Sequence, residues 1–142
     1  MSKVYALAIN FKNKYPGTIS FRTKQHCKII DLHLNSGEEV LYAFTAQKND
    51  VFYDIVTSCV VVLTNKRILI GQKRVVFGYF FSAITPDMFN DLKVKMGIIW
   101  GKVYIDTVKE KVKLSNISRR ALPEIETKIT DYMMHKKKRY GK

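Results

Sequence analysis

The most constraining feature of this 142-residue chain is the stretch 59–71, CVVVLTNKRILIG, in which two aliphatic runs flank a short polar break. β-branched residues favour strands, and so short a break suits a tight hairpin turn. A two-residue loop at Asn65 and Lys66 sets a register whose cross-strand pairs are Leu63–Ile68, Val62–Leu69 and Val61–Ile70. Both faces of this hairpin are apolar, so it is predicted to lie at the centre of a sheet or barrel that is covered on both sides.

Alternating residue patterns on either side of the hairpin predict five more strands, separated by regular turn signals. They lie at residues 40–46, 75–81, 92–96, 98–107 and 111–114. Seven short strands of this kind indicate an antiparallel barrel or sandwich. A C-terminal helix follows, with Pro123 in its first turn and an apolar stripe formed by Leu122, Ile125, Ile129, Tyr132 and Met133.

The N-terminal part of the chain lies outside this strand pattern. A Pro-Gly turn at residues 16–17 follows an apolar patch, and Thr18 is a plausible N-cap for a helix that runs to about Asn35. We therefore divide the chain into an N-terminal helical extension, residues 1–36, and a domain at residues 37–142.

Seven strands followed by one amphipathic helix is the order of a pleckstrin-homology (PH) barrel, in which the helix plugs an open end. The local sequence also resembles the bacterial PH-like family, at GEEVL (37–41), LTNKRILI (63–70) and the strand pair at 95–105. The resemblance covers residues 37–135. It implies a mainly β fold, a PH-like seven-stranded antiparallel barrel or orthogonal sandwich capped by a C-terminal α-helix. These motifs specify a fold and carry no catalytic signature.

The resemblance does not extend to phosphoinositide binding. Phosphoinositide-binding members of the wider superfamily carry several basic residues around the loop that joins strands one and two. Here that loop offers only Lys48, against Asp50 and Asp54. We therefore do not assign that activity to this chain.

The net charge of +13 favours anionic partners, although it also suits a solvated surface. Near an anionic membrane each cation contributes about 1 kcal/mol, so the basic tail, which is Lys136–Arg139 with Lys142, supplies roughly 4–5 kcal/mol. This free energy corresponds to about millimolar affinity. The anion-binding candidates are Lys73, Arg74, Lys102, Lys136, Lys137, Lys138 and Arg139. No apolar run has the length of a membrane span, and no signal peptide is recognised, so a cytoplasmic location is expected.

No residue pattern predicts an enzyme. The glycines at 97 and 101 lack phosphate-loop spacing. His26, Cys27 and His33 suggest a metal site, but a structural zinc ion needs four ligands and nothing supplies a complete set. Cys27 and Cys59 are expected to be free, buried thiols. We predict no catalytic residue, no metal and no cofactor.

The sixth strand carries the candidate interface. Alternation directs Ile99, Gly101, Val103 and Ile105 inward, and it leaves three large side chains facing outward: Ile98, Trp100 and Tyr104. An exposed apolar patch of this size is usually covered. The three candidates for the cover are the N-terminal helix, a second subunit and an unknown partner. We expect self-association, because identical subunits are the commonest partners.

Three functions follow in order of preference. The first is a non-catalytic PH-like interaction module that self-associates or binds another protein. The alternative is a peripheral membrane adaptor that binds anionic lipid through its basic charge. The third is nucleic-acid binding, since interleaved aromatic residues and lysines stack bases. Nucleic acid is disfavoured because no recognised motif is present and the basic residues are not concentrated on the aromatic strands.

Overall fold

The computed structural model describes residues 2–48, 58–74 and 77–140, with side chains up to residue 136. Within these residues seven antiparallel strands form one curled sheet in the order β4-β3-β2-β1-β7-β6-β5. The strands are β1 (Val40–Gln47), β2 (Ser58–Thr64), β3 (Ile68–Lys73), β4 (Tyr79–Ile84), β5 (Phe89–Met96), β6 (Trp100–Thr107) and β7 (Lys111–Ser118). The helices are α1 (Lys3–Lys14), α2 (Thr23–His33) and α3 (Leu122–Tyr140), and a 3-10 turn (Arg119–Ala121) precedes α3. The predicted mainly β fold with a C-terminal helix is confirmed.

The central hairpin, β2 and β3, has the predicted register. Its cross-strand pairs are Leu63–Ile68, Val62–Leu69 and Val61–Ile70. All six side chains are buried. Val61 and Ile70 belong to the core inside the curled sheet, whereas Val62 and Leu69 belong to a second cluster on its outer face. The prediction that both faces of the hairpin are covered is therefore confirmed.

Helix α3 closes the inside of the curled sheet. Leu122, Ile125, Ile129 and Met133 are fully buried in the inner core, as the apolar stripe predicts. The helix packs tightly on β6 at Gly101, where an added Cβ atom would lie 2.3 Å from Leu122 Cδ1. A side chain at this position would therefore displace the helix.

Helices α1 and α2 cover the outer face of the β1–β3 region. Val4 and Ala8 of α1 and Ile30 of α2 pack in the outer cluster with Val60 and Val62. At the other end of α1, Phe11 joins the inner core instead, with its ring centroid 5.9 Å from that of Phe44. The two N-terminal helices thus contribute to both hydrophobic clusters.

The predicted helix at residues 18–35 is wrong at its start, and α1 is an additional helix. The Thr18 hydroxyl oxygen accepts a hydrogen bond from the Ser118 amide at 2.8 Å, and the Ile19 amide donates to the Asn116 carbonyl at 2.8 Å. These tertiary bonds hold residues 18–19 against β7. Helix α2 begins only after Arg22, whose φ of 57° lies in the left-handed region.

The structure also corrects the start of the sixth strand. Ile99, predicted to point inward, lies outside β6 and is exposed. The Gly97 amide donates to the Trp100 carbonyl at 2.9 Å, so Ile98 and Ile99 are the two central residues of the β5–β6 turn. From Gly101 onward the predicted alternation is confirmed. The strand predicted at 75–81 is observed as β4, and residues 75–76 lie outside the described residues.

Candidate functional site

The β5–β6 turn presents three exposed apolar side chains, which we call the apolar tip. Their exposed fractions are 53% for Met96, 92% for Ile98 and 65% for Ile99. The central positions of a two-residue hairpin turn usually hold glycine, asparagine or aspartate, because these residues tolerate the backbone geometry and water. Two isoleucines at these positions are therefore not explained by the needs of the turn.

Four cations surround the apolar tip, and we call them the basic collar: Lys95, Lys102, Arg119 and Arg120. Lys95 and Lys102 are paired across β5 and β6, directly behind the turn. Arg119 donates from Nη1 to the Ile98 carbonyl oxygen at 2.9 Å. A cleft of about 470 Å³ next to the tip is lined by the three tip residues, by Arg119 and Arg120 of the collar, and by Ser118 and Pro123. Apolar and cationic groups thus form one continuous surface.

The three predicted interface residues lie in different environments. Ile98 is at the exposed tip, whereas Trp100 is half-buried and donates from Nε1 to the Gly17 carbonyl at 2.8 Å. Tyr104 lies two further residue pairs behind Lys102 along β6, among lysines. The N-terminal helix is not the cover, because α2 packs on β3. Instead the segment between α1 and α2 touches Trp100.

The outer face of β5, β6 and β7 gathers lysines around Tyr104. The strand register places Lys93 and Lys113 directly opposite Tyr104, one on each side. A cleft of about 390 Å³ on this face is lined by Asp91, Lys93, Tyr104, Asp106, Lys111 and Lys113. Strand β6 itself carries one basic residue, Lys102, as the sequence indicates; the lysines beside Tyr104 come from β5 and β7 through strand pairing.

The remaining anion-binding candidates are scattered. Lys73 and Arg74 lie at the end of β3, which three strands separate from β6 in the sheet. The Nζ atom of Lys136 lies 5.5 Å from the centroid of the Tyr132 ring. The side chains of Lys137, Lys138 and Arg139 lie outside the described residues. Among the candidates whose side chains the structure describes, only Lys102 lies beside the apolar tip.

The buried titratable side chains occupy structural positions. His26 Nδ1 accepts a hydrogen bond from the Lys73 amide at 2.8 Å, and burial lowers the pKa of His26 to about 4. Burial raises the pKa of Cys27 and of Cys59 to about 12, so both thiols are protonated at neutral pH. Among the residues that the structure describes, no three His, Cys, Asp or Glu side chains are grouped to hold a metal ion.

Sequence reasoning missed most residues of these two surfaces. They are Met96 and Ile99 of the tip, Lys95, Arg119 and Arg120 of the collar, and Asp91, Lys93, Asp106, Lys111 and Lys113 of the face around Tyr104. The available signal was the Gly97-Ile98-Ile99 turn, which interrupts the alternation. In the described part of the chain, none of the helices combines the length and apolar character that a membrane span needs.

Comparison with known proteins gives one family match for this chain. A family model described as a bacterial PH domain matches residues 34–131, which is more than half of the chain. No curated protein and no solved structure gave a significant match.

Proposed function

Because this chain belongs to the bacterial PH domain family, whose wider group consists typically of non-catalytic interaction modules, we propose that it is a peripheral membrane adaptor. In this proposal the apolar tip inserts into an anionic bilayer, and the basic collar binds the headgroups. The single observation that carries the proposal is the exposed isoleucine pair, Ile98 and Ile99, which lies beside two arginines and directly ahead of a lysine pair.

The order of residues along the hairpin suits a bilayer surface. Two residues along a strand advance about 7 Å, so the Lys95–Lys102 pair follows closely behind the tip. When the isoleucines enter the apolar layer, these ammonium groups reach the depth of the phosphates. The hydrogen bond from Arg119 to the Ile98 carbonyl holds a third charge beside the inserting residue.

The magnitudes favour the tip over the basic tail as the membrane anchor. Removing an isoleucine side chain from water contributes about 1.5–3 kcal/mol, and each collar cation contributes about 1 kcal/mol at an anionic surface. Together these terms reach roughly 7–10 kcal/mol, which corresponds to about micromolar binding. The tail, by comparison, supplies about millimolar binding.

A second copy of the chain is the alternative occupant of the tip, as the expected self-association requires. The exposed isoleucines favour such a contact, because it would remove them from water. A symmetric contact would, however, bring Arg119 and Arg120 of one copy close to the same residues of the other, in a chain of net charge +13. Charge complementarity therefore favours the anionic bilayer.

The test is sedimentation of the full chain with phosphatidylcholine vesicles that contain or lack phosphatidylglycerol. We expect binding to the anionic vesicles only, and we expect Ile98→Ser/Ile99→Ser to weaken it at least about tenfold. Phe77→Ser is the matched control, because Phe77 is 80% exposed in another turn. This variant should bind as the wild type does. Deleting residues 136–142 should reduce binding to the anionic vesicles less than the tip substitutions do.

The dependence of binding on salt distinguishes an anionic bilayer from a second copy of the chain as the partner of the apolar tip. Higher ionic strength weakens attraction to anionic vesicles, whereas it screens the repulsion between two cationic copies and favours their association. Unchanged vesicle binding by the tip variant would overturn the proposal. An oligomer in light scattering that grows with salt and is lost in the tip variant would assign the tip to self-association instead.

A further inference from the structure

The outer face of β5–β7 is a second surface, distinct from the apolar tip. In the described part of the chain, α1 and α2 pack on the other half of the sheet, and α3 packs on the inner side. No described helix therefore covers this face. Its centre is Tyr104, which is half-buried in the middle strand.

The strand register orders this face into rows of different charge. Nearest the tip is the Lys95–Lys102 pair, and next comes the row Lys93–Tyr104–Lys113. Beyond it lies the row Asp91–Asp106–Lys111. The cleft of about 390 Å³ spans the second and third rows. One end therefore suits an anion, the middle offers an aromatic ring, and the far end offers carboxylates.

The two carboxylates indicate that the cleft does not simply attract negative charge. Asp91 and Asp106 lie directly opposite each other, an arrangement of like charges that destabilises a sheet. One oxygen of Asp91 accepts from the Leu92 amide at 2.8 Å. Lys111 lies opposite Asp106 on its other side and offsets part of this repulsion. Both carboxylates can accept hydrogen bonds from donors on a ligand, since ionised carboxylates act only as acceptors. An anionic bilayer offers a poor match to this acidic row.

We infer that this cleft binds a nucleoside phosphate. The base stacks on the Tyr104 ring, the phosphate contacts Lys93 and Lys113, and the sugar hydroxyls donate to the carboxylates of Asp91 and Asp106. The cleft volume falls within the range of sites that hold small ligands. A free nucleotide and one unit of a single-stranded nucleic acid share this chemistry.

The cleft accommodates one base rather than a stack of several. The neighbouring aromatic residue on this strand face, Trp100, donates its indole N–H to the Gly17 carbonyl and is half-buried by that segment. Tyr104 is then the aromatic ring within the cleft. A single strand bound here would place one nucleotide in the cleft and extend its neighbours over the Lys95–Lys102 row.

The inference is tested by calorimetric titration of the full chain with adenosine 5′-monophosphate, adenosine and inorganic phosphate. The monophosphate should bind saturably and at least about tenfold more tightly than either fragment. Tyr104→Leu should weaken its binding about tenfold. Lys93→Gln/Lys113→Gln should reduce monophosphate binding to the level of adenosine, and Lys66→Gln/Lys128→Gln, which removes two exposed charges elsewhere, should have no effect.

A single-stranded RNA of about ten adenosines distinguishes the two sources of the ligand. Tighter binding of the RNA than of the monophosphate would identify a strand, and equal or weaker binding would identify a free nucleotide. Either result supports the inference, provided that Tyr104→Leu weakens the binding of the tighter probe. Failure of both probes to bind, or binding of inorganic phosphate as tight as that of the monophosphate, would overturn it. The inference would also be overturned if Lys66→Gln/Lys128→Gln lost as much monophosphate binding as Lys93→Gln/Lys113→Gln.

This inference stands independently of the membrane proposal. Ile98→Ser/Ile99→Ser should bind adenosine 5′-monophosphate as the wild type does, because neither residue lines the cleft. Tyr104→Leu should in turn bind anionic vesicles normally. The failure of one proposal is thus distinguishable from the failure of the other.

Discussion

Glu38 and Arg67 form a bidentate ion pair, with an Nε–Oε2 distance of 2.9 Å and an Nη2–Oε1 distance of 3.0 Å. The Glu38 side chain is fully buried, and the Thr64 hydroxyl donates to the same carboxylate at 2.6 Å. Burial opposes ionisation of Glu38, but the hydrogen bonds from Arg67, the Asn35 amide and Thr64 outweigh it and lower the pKa of Glu38 to about 2. The pair ties the start of β1 to the β2–β3 turn, the two stretches that carry the family motifs.

Glu38→Gln should destabilise the protein by about 3–5 kcal/mol, because it leaves the Arg67 charge largely buried without its partner. Urea denaturation measures the change in the free energy of unfolding. Glu39→Gln is the control, since Glu39 lies 3.9 Å from Lys3 and both side chains are exposed. Its effect should stay below about 1 kcal/mol. A similarly small effect of Glu38→Gln would show that the ion pair is dispensable.

Acid should destabilise the fold through His26. The pKa of this imidazole is 6.5 in the unfolded chain and about 4 in the folded protein, because burial disfavours its charged form and Arg22 adds repulsion. Its contribution to stability is therefore complete above pH 6.5 and is lost as the pH falls toward 4. The expected loss between about pH 7 and pH 4 is about 3 kcal/mol.

The measurement compares the free energy of unfolding of the wild type and of His26→Gln across this pH range. Glutamine retains an acceptor for the Lys73 amide but does not titrate, and the other titrating groups are common to both proteins. The variant should lose less stability on acidification than the wild type does. Parallel pH profiles would refute the assignment of this acid sensitivity to His26.

Glu124 links α3 to β1 and to the C-terminal end of α1, and Glu124→Gln should weaken these links. Its carboxylate accepts hydrogen bonds from Lys14 Nζ and from the hydroxyls of Tyr15 and Tyr42, at 2.5, 3.1 and 2.8 Å. Burial raises the pKa of Glu124, but these bonds outweigh it and lower the pKa overall. We expect the substitution to lower the free energy of unfolding by about 1–3 kcal/mol, as measured by thermal denaturation. The exposed Glu126→Gln serves as the control and should leave the melting temperature nearly unchanged.

Gly101→Ala should destabilise the protein by about 1–3 kcal/mol, because the added methyl group overlaps the Leu122 side chain in a packed core. In a Leu122→Ala background the same substitution should cost much less, since the space is then vacant. A double-mutant cycle by urea denaturation provides the comparison. Equal costs in the two backgrounds would mean that α3 does not press on β6 at this point.

The hairpin and α3 were predictable because their signals are local and repeated. In the hairpin, one turn position fixes the pairing of every residue that follows, so residues 59–71 specify their own register. In α3, Leu122, Ile125 and Ile129 recur at the helical period, and all three are buried as expected. Neither element depends on knowing where the rest of the chain lies.

The features that the sequence did not predict depend on contacts between residues that are distant in sequence or on a reversal of the chain. Thr18 resembles a helix cap, yet its hydroxyl binds the Ser118 amide, 100 residues away. The alternation predicts Ile99 to point inward only if it continues through residues 98–99, where a turn reverses the chain. Lys93 and Lys113 flank Tyr104 only through strand pairing, so no linear pattern predicts that they meet. The candidate surfaces are therefore less predictable than the fold.

The packing of α1 and α2 against strands that follow them has a consequence for synthesis on the ribosome. These helices have 12 and 11 residues, and isolated helices of that length are marginal in water. They leave the exit tunnel before the strands do, but the outer face that stabilises them exists only after β3, which ends at Lys73, has also left it. The segment that holds α1 and α2 is therefore expected to stay unstructured until then, and co-translational folding of this domain is expected to begin in the strands rather than in these helices.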